Sequence, residues 1–169
     1  MIVDAVAKVE EAEKALVRRP LDASGRTDFD LASGWVICYD CRVSLYGYFN
    51  DYAGFYNQVF ESTAMIEQAS QATFFLKNGY SISIIAGYLS ITDVGRPAED
   101  VSVTVLGVSF AMDEYAVGAL LGAPTEYTAI GGKTTLLYED ESAGIYAKFH
   151  FTHGKLESIL ISTEVLPQI

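Results

Sequence analysis

Apolar positions along this chain recur at two different periods, and the changes between them mark out the elements. Over residues 3 to 18 they fall at Val6, Val9, Ala12 and Leu16 with charged residues between them. That is the narrow stripe of an N-terminal helix, closed by Arg18, Arg19 and Pro20. Residues 21 to 34 are rich in Asp, Ser and Gly and read as an exposed loop. From Trp35 to Tyr48 aromatic and β-branched residues dominate, with Asp40, Arg42 and Ser44 on one parity and Tyr39, Cys41, Val43 and Leu45 on the other. The alternation predicts one strand with a wetter face. Asn50 or Asp51 can cap a helix that carries Phe55, Val59, Phe60, Met65 and Ile66 to about Ser70, with a break point at 61 to 63.

Extended segments follow at Ala72 to Lys77, Tyr80 to Ile85 and Tyr88 to Val94, joined through Asn78-Gly79 and Ala86-Gly87. Asn-Gly between apolar runs is a strong hairpin signal. After a punctuated linker, Gly95 to Asp100, alternation returns over Val101 to Phe110. Asp113 can cap a helix from Glu114 to Leu121, which Gly122-Ala-Pro124 ends. Strands are then predicted at Thr134 to Tyr138, Ile145 to Phe151 and Leu156 to Ser162, with turns at Glu139 to Ser142 and Thr152 to Gly154.

The second half repeats the plan of the first. Leu45 to Phe49 aligns with Leu106 to Phe110 at a displacement of 61, while Asp51 meets Asp113, Val59 meets Leu121 and Thr73 meets Thr135 at 62. After small insertions Gly79 meets Gly144 and Gly87 meets Gly154. A displacement held through successive elements points to a duplicated unit. The expected architecture is α+β, with tandem units of strand, helix and antiparallel meander over residues 31–96 and 97–169. Their helices pack on one face of the sheet, an extra N-terminal helix and loop cover residues 1–30, and the whole forms one compact domain.

Leu121-Gly-Ala-Pro124 after a short helix, the Leu-Leu-Tyr strand at 136 to 138, Ile145 to Phe149, and His153-Gly-Lys-Leu156 with Ser158-Ile159 carry a family likeness. They resemble the helix-plus-sheet half domain of the β-lactamase-inhibitor protein and of small outer-membrane-assembly lipoproteins. Two such halves in tandem also resemble several small bacterial toxin-immunity proteins. The resemblance implies the tandem sheet architecture and action by binding other proteins.

Length and charge narrow the function. A chain of 169 residues, half of them apolar, can bury a sizeable core without a metal or disulfide staple. No apolar run reaches the roughly 20 residues a membrane helix needs, and the first residues lack a basic leader before an apolar core, so a cytoplasmic location with no membrane partner is expected. The net charge of −11 repels nucleic acid and favours a basic protein as partner. Cys38 and Cys41 within one strand would point to opposite faces and stay free thiols.

Candidate chemistry is sparse. His150 and His153, on a strand and at a turn, are not united as they would be on a helix, and read as exposed. Gly131-Gly-Lys-Thr134 has Tyr127 where a phosphate loop needs glycine and precedes a strand, so it serves a turn. No nucleophile, base and orienter stand together, and no enzyme activity, cofactor or metal is expected. Carboxylates at Glu99, Asp100, Asp113, Glu114, Glu139, Asp140 and Glu141, with the strand tyrosines Tyr127, Tyr138 and Tyr146, form the candidate protein-binding set. Solvated turns are the plainer account of the same residues.

The function expected is a non-enzymatic protein-binding module, such as a bacterial immunity or inhibitor protein occluding a basic toxin, present as monomer or homodimer. The alternative is a small-molecule-binding or catalytic domain with an aromatic pocket between helix and sheet, walled by Trp35 and tyrosines. A structural subunit pairing through an exposed sheet edge is a third.

Overall fold

A computed structural model describes residues 22–62 and 65–163; the helix expected over 3 to 18 lies outside the described residues. Alternating apolar and polar positions build most of the elements as strands. The hairpin β1 (Trp35–Cys38) and β2 (Cys41–Ser44) leads into α1 (Leu45–Asn50) and α2 (Tyr52–Glu61). A meander then runs through β3 (Ile66–Ser70), β4 (Thr73–Leu76), β5 (Tyr80–Ile85) and β6 (Tyr88–Asp93). A second hairpin, β7 (Val103–Val105) and β8 (Val108–Ser109), precedes α3 (Glu114–Leu121). The chain ends in a second meander of β9 (Glu126–Ile130), β10 (Lys133–Asp140), β11 (Ile145–Thr152) and β12 (Lys155–Ser162).

The two meanders form one eight-stranded sheet in the order β3-β4-β5-β6-β12-β11-β10-β9, and the two hairpins a four-stranded sheet in the order β2-β1-β7-β8. Among the described residues every strand pairing is antiparallel. The meanders join where Ile91 of β6 faces Ile159 of β12, and the hairpins where Ile37 of β1 faces Thr104 of β7. The architecture is thus mostly antiparallel sheet with a few helices, α+β in class. Among the described residues no helix is long and apolar enough to cross a membrane.

One face of the large sheet is packed. Along β11 Ile145, Ala147, Phe149 and Phe151 are buried, while Tyr146, Lys148, His150 and Thr152 are half-exposed on the other side. The buried residues join those of the helices and the small sheet in a single apolar cluster. Three tyrosines are buried within it, and each hydroxyl donates to a backbone carbonyl: Tyr48 to Tyr88 at 2.6 Å, Tyr80 to Asp100 at 3.2 Å and Tyr138 to Gly122 at 2.8 Å. Without such acceptors each buried hydroxyl would cost about 1–3 kcal/mol of what its ring gains. Arg96, also buried, contacts Asp93 Oδ2 at 3.2 Å and donates to the carbonyls of Pro97, Ala98 and Phe110, tying the linker after β6 to the end of the small sheet. Gly79 turns at φ +82°, and a Cβ there would stand 2.5 Å from the Arg96 backbone nitrogen, so the hairpin predicted at Asn78-Gly79 admits no larger residue.

The structure corrects several expectations. The strand expected over 35 to 48 is a hairpin followed by a helix, because Tyr39 turns the chain at φ 59° and the Ser44 hydroxyl accepts from the Gly47 N–H to cap α1. Cys38 and Cys41 are therefore direct cross-strand partners, both buried, and do not point to opposite faces of one strand. The helix expected to reach Ser70 stops at Glu61, and Ile66–Ser70 is the edge strand β3. The strand expected over 101 to 110 is a hairpin that turns at Leu106-Gly107. Leu45 opens a helix whereas Leu106 sits in that turn, so the match at 61 residues does not hold.

Candidate functional site

Asp140, the last residue of β10, organises one end of the large sheet. Its Oδ2 accepts the N–H groups of Leu31 at 2.9 Å and Ala32 at 3.2 Å, and its Oδ1 accepts that of Ala143 at 3.0 Å. The Glu141 N–H donates to the Thr27 carbonyl at 2.9 Å, and the Thr27 hydroxyl donates to Glu141 Oε2 at 2.8 Å. Residues 27 to 32 are thereby laid against the turn after β10.

Between the two runs lies a cavity of about 640 Å³ lined by Asp28, Asp30, Asp140 and Glu141; among the described residues no cation belongs to its lining, though Arg26 stacks on its Phe29 wall at 4.3 Å. Asp28 is paired with Arg26 at 2.9 Å, and the hydrogen bond and charge of that guanidinium hold its carboxyl below the usual range. Among the described residues Asp30 accepts only from the Ser33 amide and hydroxyl. Among the described residues neither Asp30 nor Glu141 has an ion-pair partner.

The acidic field extends onto the open face of the sheet. Glu139 stands opposite Tyr146 there, and Glu126 opposite Leu137. Partial burial, then repulsion from Glu126 and Glu141, pushes the Glu139 carboxyl above its ordinary value.

Next to the acidic cavity is an apolar groove of about 530 Å³, floored by the outer face of β1 and walled by the end of α3. Trp35, Ile37, Leu106 and Leu120 line it, and Trp35, Ile37 and Leu120 are 43%, 38% and 50% exposed. The Arg42 guanidinium stacks 4.5 Å from the Trp35 ring centroid and holds the indole in place. Gly34 lets Leu106 close on β1, since a Cβ there would come within 2.0 Å of the Leu106 side chain. Groove and cavity share Phe29 and Asp30 as a common wall.

The residues singled out from sequence divide into groups. Asp140 and Glu141 line the acidic cavity, and Glu139 lies beside it on the open face, across from Tyr146. Tyr138 and Asp140 are buried, 0% and 5% exposed, and serve as inner walls of the groove and of the cavity respectively. Asp113 caps α3 through the Ala116 N–H at 2.9 Å, while Glu114 accepts from the Tyr127 hydroxyl at 3.3 Å, which fixes strand β9 to that helix. Asp100 accepts from Asn78, Tyr80 and Ser102, bonds that outweigh its burial and keep its carboxyl low. Glu99 is exposed on the linker.

His150 is half-buried beside the Thr135 hydroxyl at 3.1 Å, and burial, then Lys148, lowers its pKa. Sequence reasoning misses Asp28, Asp30, Ile37 and Leu120 as site residues. The run Asp28-Phe-Asp30 just ahead of Trp35 is the available signal, an acidic and aromatic stretch inside a loop that otherwise reads as solvated. Comparison with protein-family models, curated proteins and solved structures finds no match for this chain.

Proposed function

We propose that this protein is a non-enzymatic binding module that captures a basic partner protein at the acidic end of its large sheet. The role is that of a bacterial immunity or inhibitor protein occluding a basic toxin in the cytoplasm. The observation that carries it is that Asp30 and Glu141 share one cavity wall while Glu139 stands near enough to Glu141 to be repelled by it, and none of the three has an ion-pair partner among the described residues. Like charges kept close together cost stability, and a surface that retains them gains long-range attraction for a cationic partner. The net charge of −11 extends that attraction over the whole molecule.

The scaffold is, on this reading, two copies of one unit of hairpin, helix and four-stranded meander. Support comes from the strand orders, which run outward alike from the β1–β7 seam in one sheet and the β6–β12 seam in the other. Asp51 and Asp113, 62 positions apart, cap α2 and α3 in the same way. Only one copy carries the acidic turn at 139 to 142, so partner recognition belongs to the departures from the repeat.

A pocket for a small molecule is the second possibility, favoured by the groove beside Trp35. Among the described residues its side-chain polar groups are Asp30, Ser33, Thr104, the Trp35 indole N–H and the Tyr138 hydroxyl already bound to Gly122, fewer free groups than a site that orients a substrate ordinarily converges. Co-expression with the product of the adjacent gene tests the binding function. A complex that survives purification and is lost in Glu139→Lys/Glu141→Lys supports it. No complex, or one indifferent to the charge reversal, sinks it.

A further inference from the structure

Ile130, 74% exposed at the end of β9, stands outside the groove and the cavity. Trp35, Ile37 and Leu120 do not: they surround one groove of about 530 Å³, within the roughly 300–1,000 Å³ typical of ligand clefts. Isolated exposed apolar residues need no explanation, whereas a gathered set marks a contact surface. The indole is already ordered by Arg42, so covering it costs little side-chain entropy.

Arg42 stands over Trp35 at one edge of the groove, and the charge within the lining itself is acidic. Among the described residues Asp30 is the sole charged side chain in its lining, and through Asp30 and Phe29 it opens onto the cavity holding Asp28, Asp140 and Glu141. An occupant must therefore bring a large apolar group and, next to it, a cation. Anchors of this kind, buried in a pocket at the centre of an interface and ringed by polar contacts, supply most of the affinity in protein complexes.

Resting on the binding function above, we propose that the groove beside Trp35 is the anchor pocket of that interface. It takes a large apolar side chain from a segment of the basic partner whose neighbouring lysines or arginines reach Asp30 and Glu141. The carboxylates draw the partner in and orient it, and the groove holds it.

Trp35 is the one tryptophan of the chain, so its emission reports directly on the groove. The full chain is titrated with three labelled synthetic peptides: lysine-rich with leucines along one side, the same with alanine for leucine, and the same with glutamate for lysine. The Lys/Leu peptide should bind saturably and shift Trp35 emission to the blue, while the Lys/Ala peptide binds at least about tenfold more weakly and leaves the emission unmoved. Leu120→Lys and Ile37→Lys, both at exposed positions and checked for fold by circular dichroism, should abolish the shift.

If Lys/Ala binds as tightly as Lys/Leu, or the two groove variants bind Lys/Leu unchanged, the anchor pocket falls and the acidic surface stands. If Glu/Leu binds as tightly as Lys/Leu, the basic-partner reading falls and this proposal with it. Emission that shifts with protein concentration alone would assign the groove to a second copy. Emission that moves on Leu16→Glu without any peptide would assign it to the chain's own first residues. Either overturns the proposal.

Discussion

Asp140 Oδ2 accepts the Leu31 N–H at 2.9 Å across 109 residues of sequence. Three backbone N–H groups depend on this carboxylate, and Leu31 is itself buried, so water cannot replace the bond. Asp140→Ala should cost about 3 kcal/mol, since buried donors left unpaired each lose on the order of 1–3 kcal/mol. Asp140→Asn, which keeps one acceptor oxygen, should cost less. Urea unfolding reads both, and an alanine variant as stable as the parent would show that the segment over β10 is held by other contacts.

The helix caps give a matched pair of tests. Asp51 accepts from the Gly54 N–H and Asp113 from the Ala116 N–H, so each satisfies one of the donors a helix start leaves open. Asp51→Ala and Asp113→Ala should each lose about 1 kcal/mol, and the double variant about the sum because the caps share no partner. A Glu replacement at either position, too long for the same bond, should restore little. Thermal or urea denaturation of these variants beside the parent decides it, and a neutral single variant would mean that packing alone fixes that helix.

Much of the fold is legible in the sequence because one face of the large sheet is buried. The segments expected at 80 to 85, 145 to 151 and 156 to 162 match β5, β11 and β12 closely, since alternation is strict where one side faces the core. The edge strands are not legible. β3 and β9 are exposed at nearly every residue, so neither carries a period: β3 reads as the tail of a helix, and β9 gives no signal of its own. The site is half legible for a similar reason. Glu139 to Glu141 stand out as an acidic turn, but the Asp30 that joins them is brought there by the Asp140 bond to Leu31, a contact over 109 residues that no local pattern encodes.

Cys38 and Cys41 test the corrected hairpin. As cross-strand partners buried at 0% and 5% exposure, both thiols are pushed up by burial, Cys38 with further repulsion from Cys41 and Asp40. A thiol kept protonated and covered reacts slowly. The native protein should react with a thiol reagent at least about tenfold more slowly than the unfolded chain, and two thiols should titrate in denaturant. Rapid native labelling of either residue would place the β1–β2 turn outside the core.

Glu139 links stability to the surface that would bind a partner. Its folded pKa lies above the ordinary carboxylate value, through burial first and then Glu126 and Glu141. A raised carboxyl means that the folded state holds its proton to higher pH than the unfolded chain does. Ionisation therefore costs nothing below the ordinary value, costs more as pH rises through the interval up to the raised value, and reaches its full cost at neutral pH. Glu139→Gln should then stabilise the fold by about 0.5 kcal/mol near neutrality, a size set by solvent screening of a half-exposed group. The gain should vanish at acid pH where both forms are neutral, as urea unfolding across the range would show. The same substitution removes one of the carboxylates facing a cationic partner, so it should weaken binding of the Lys/Leu peptide while it strengthens the fold. A variant that gains stability and keeps full affinity would leave Glu139 as strain without a purpose at this surface.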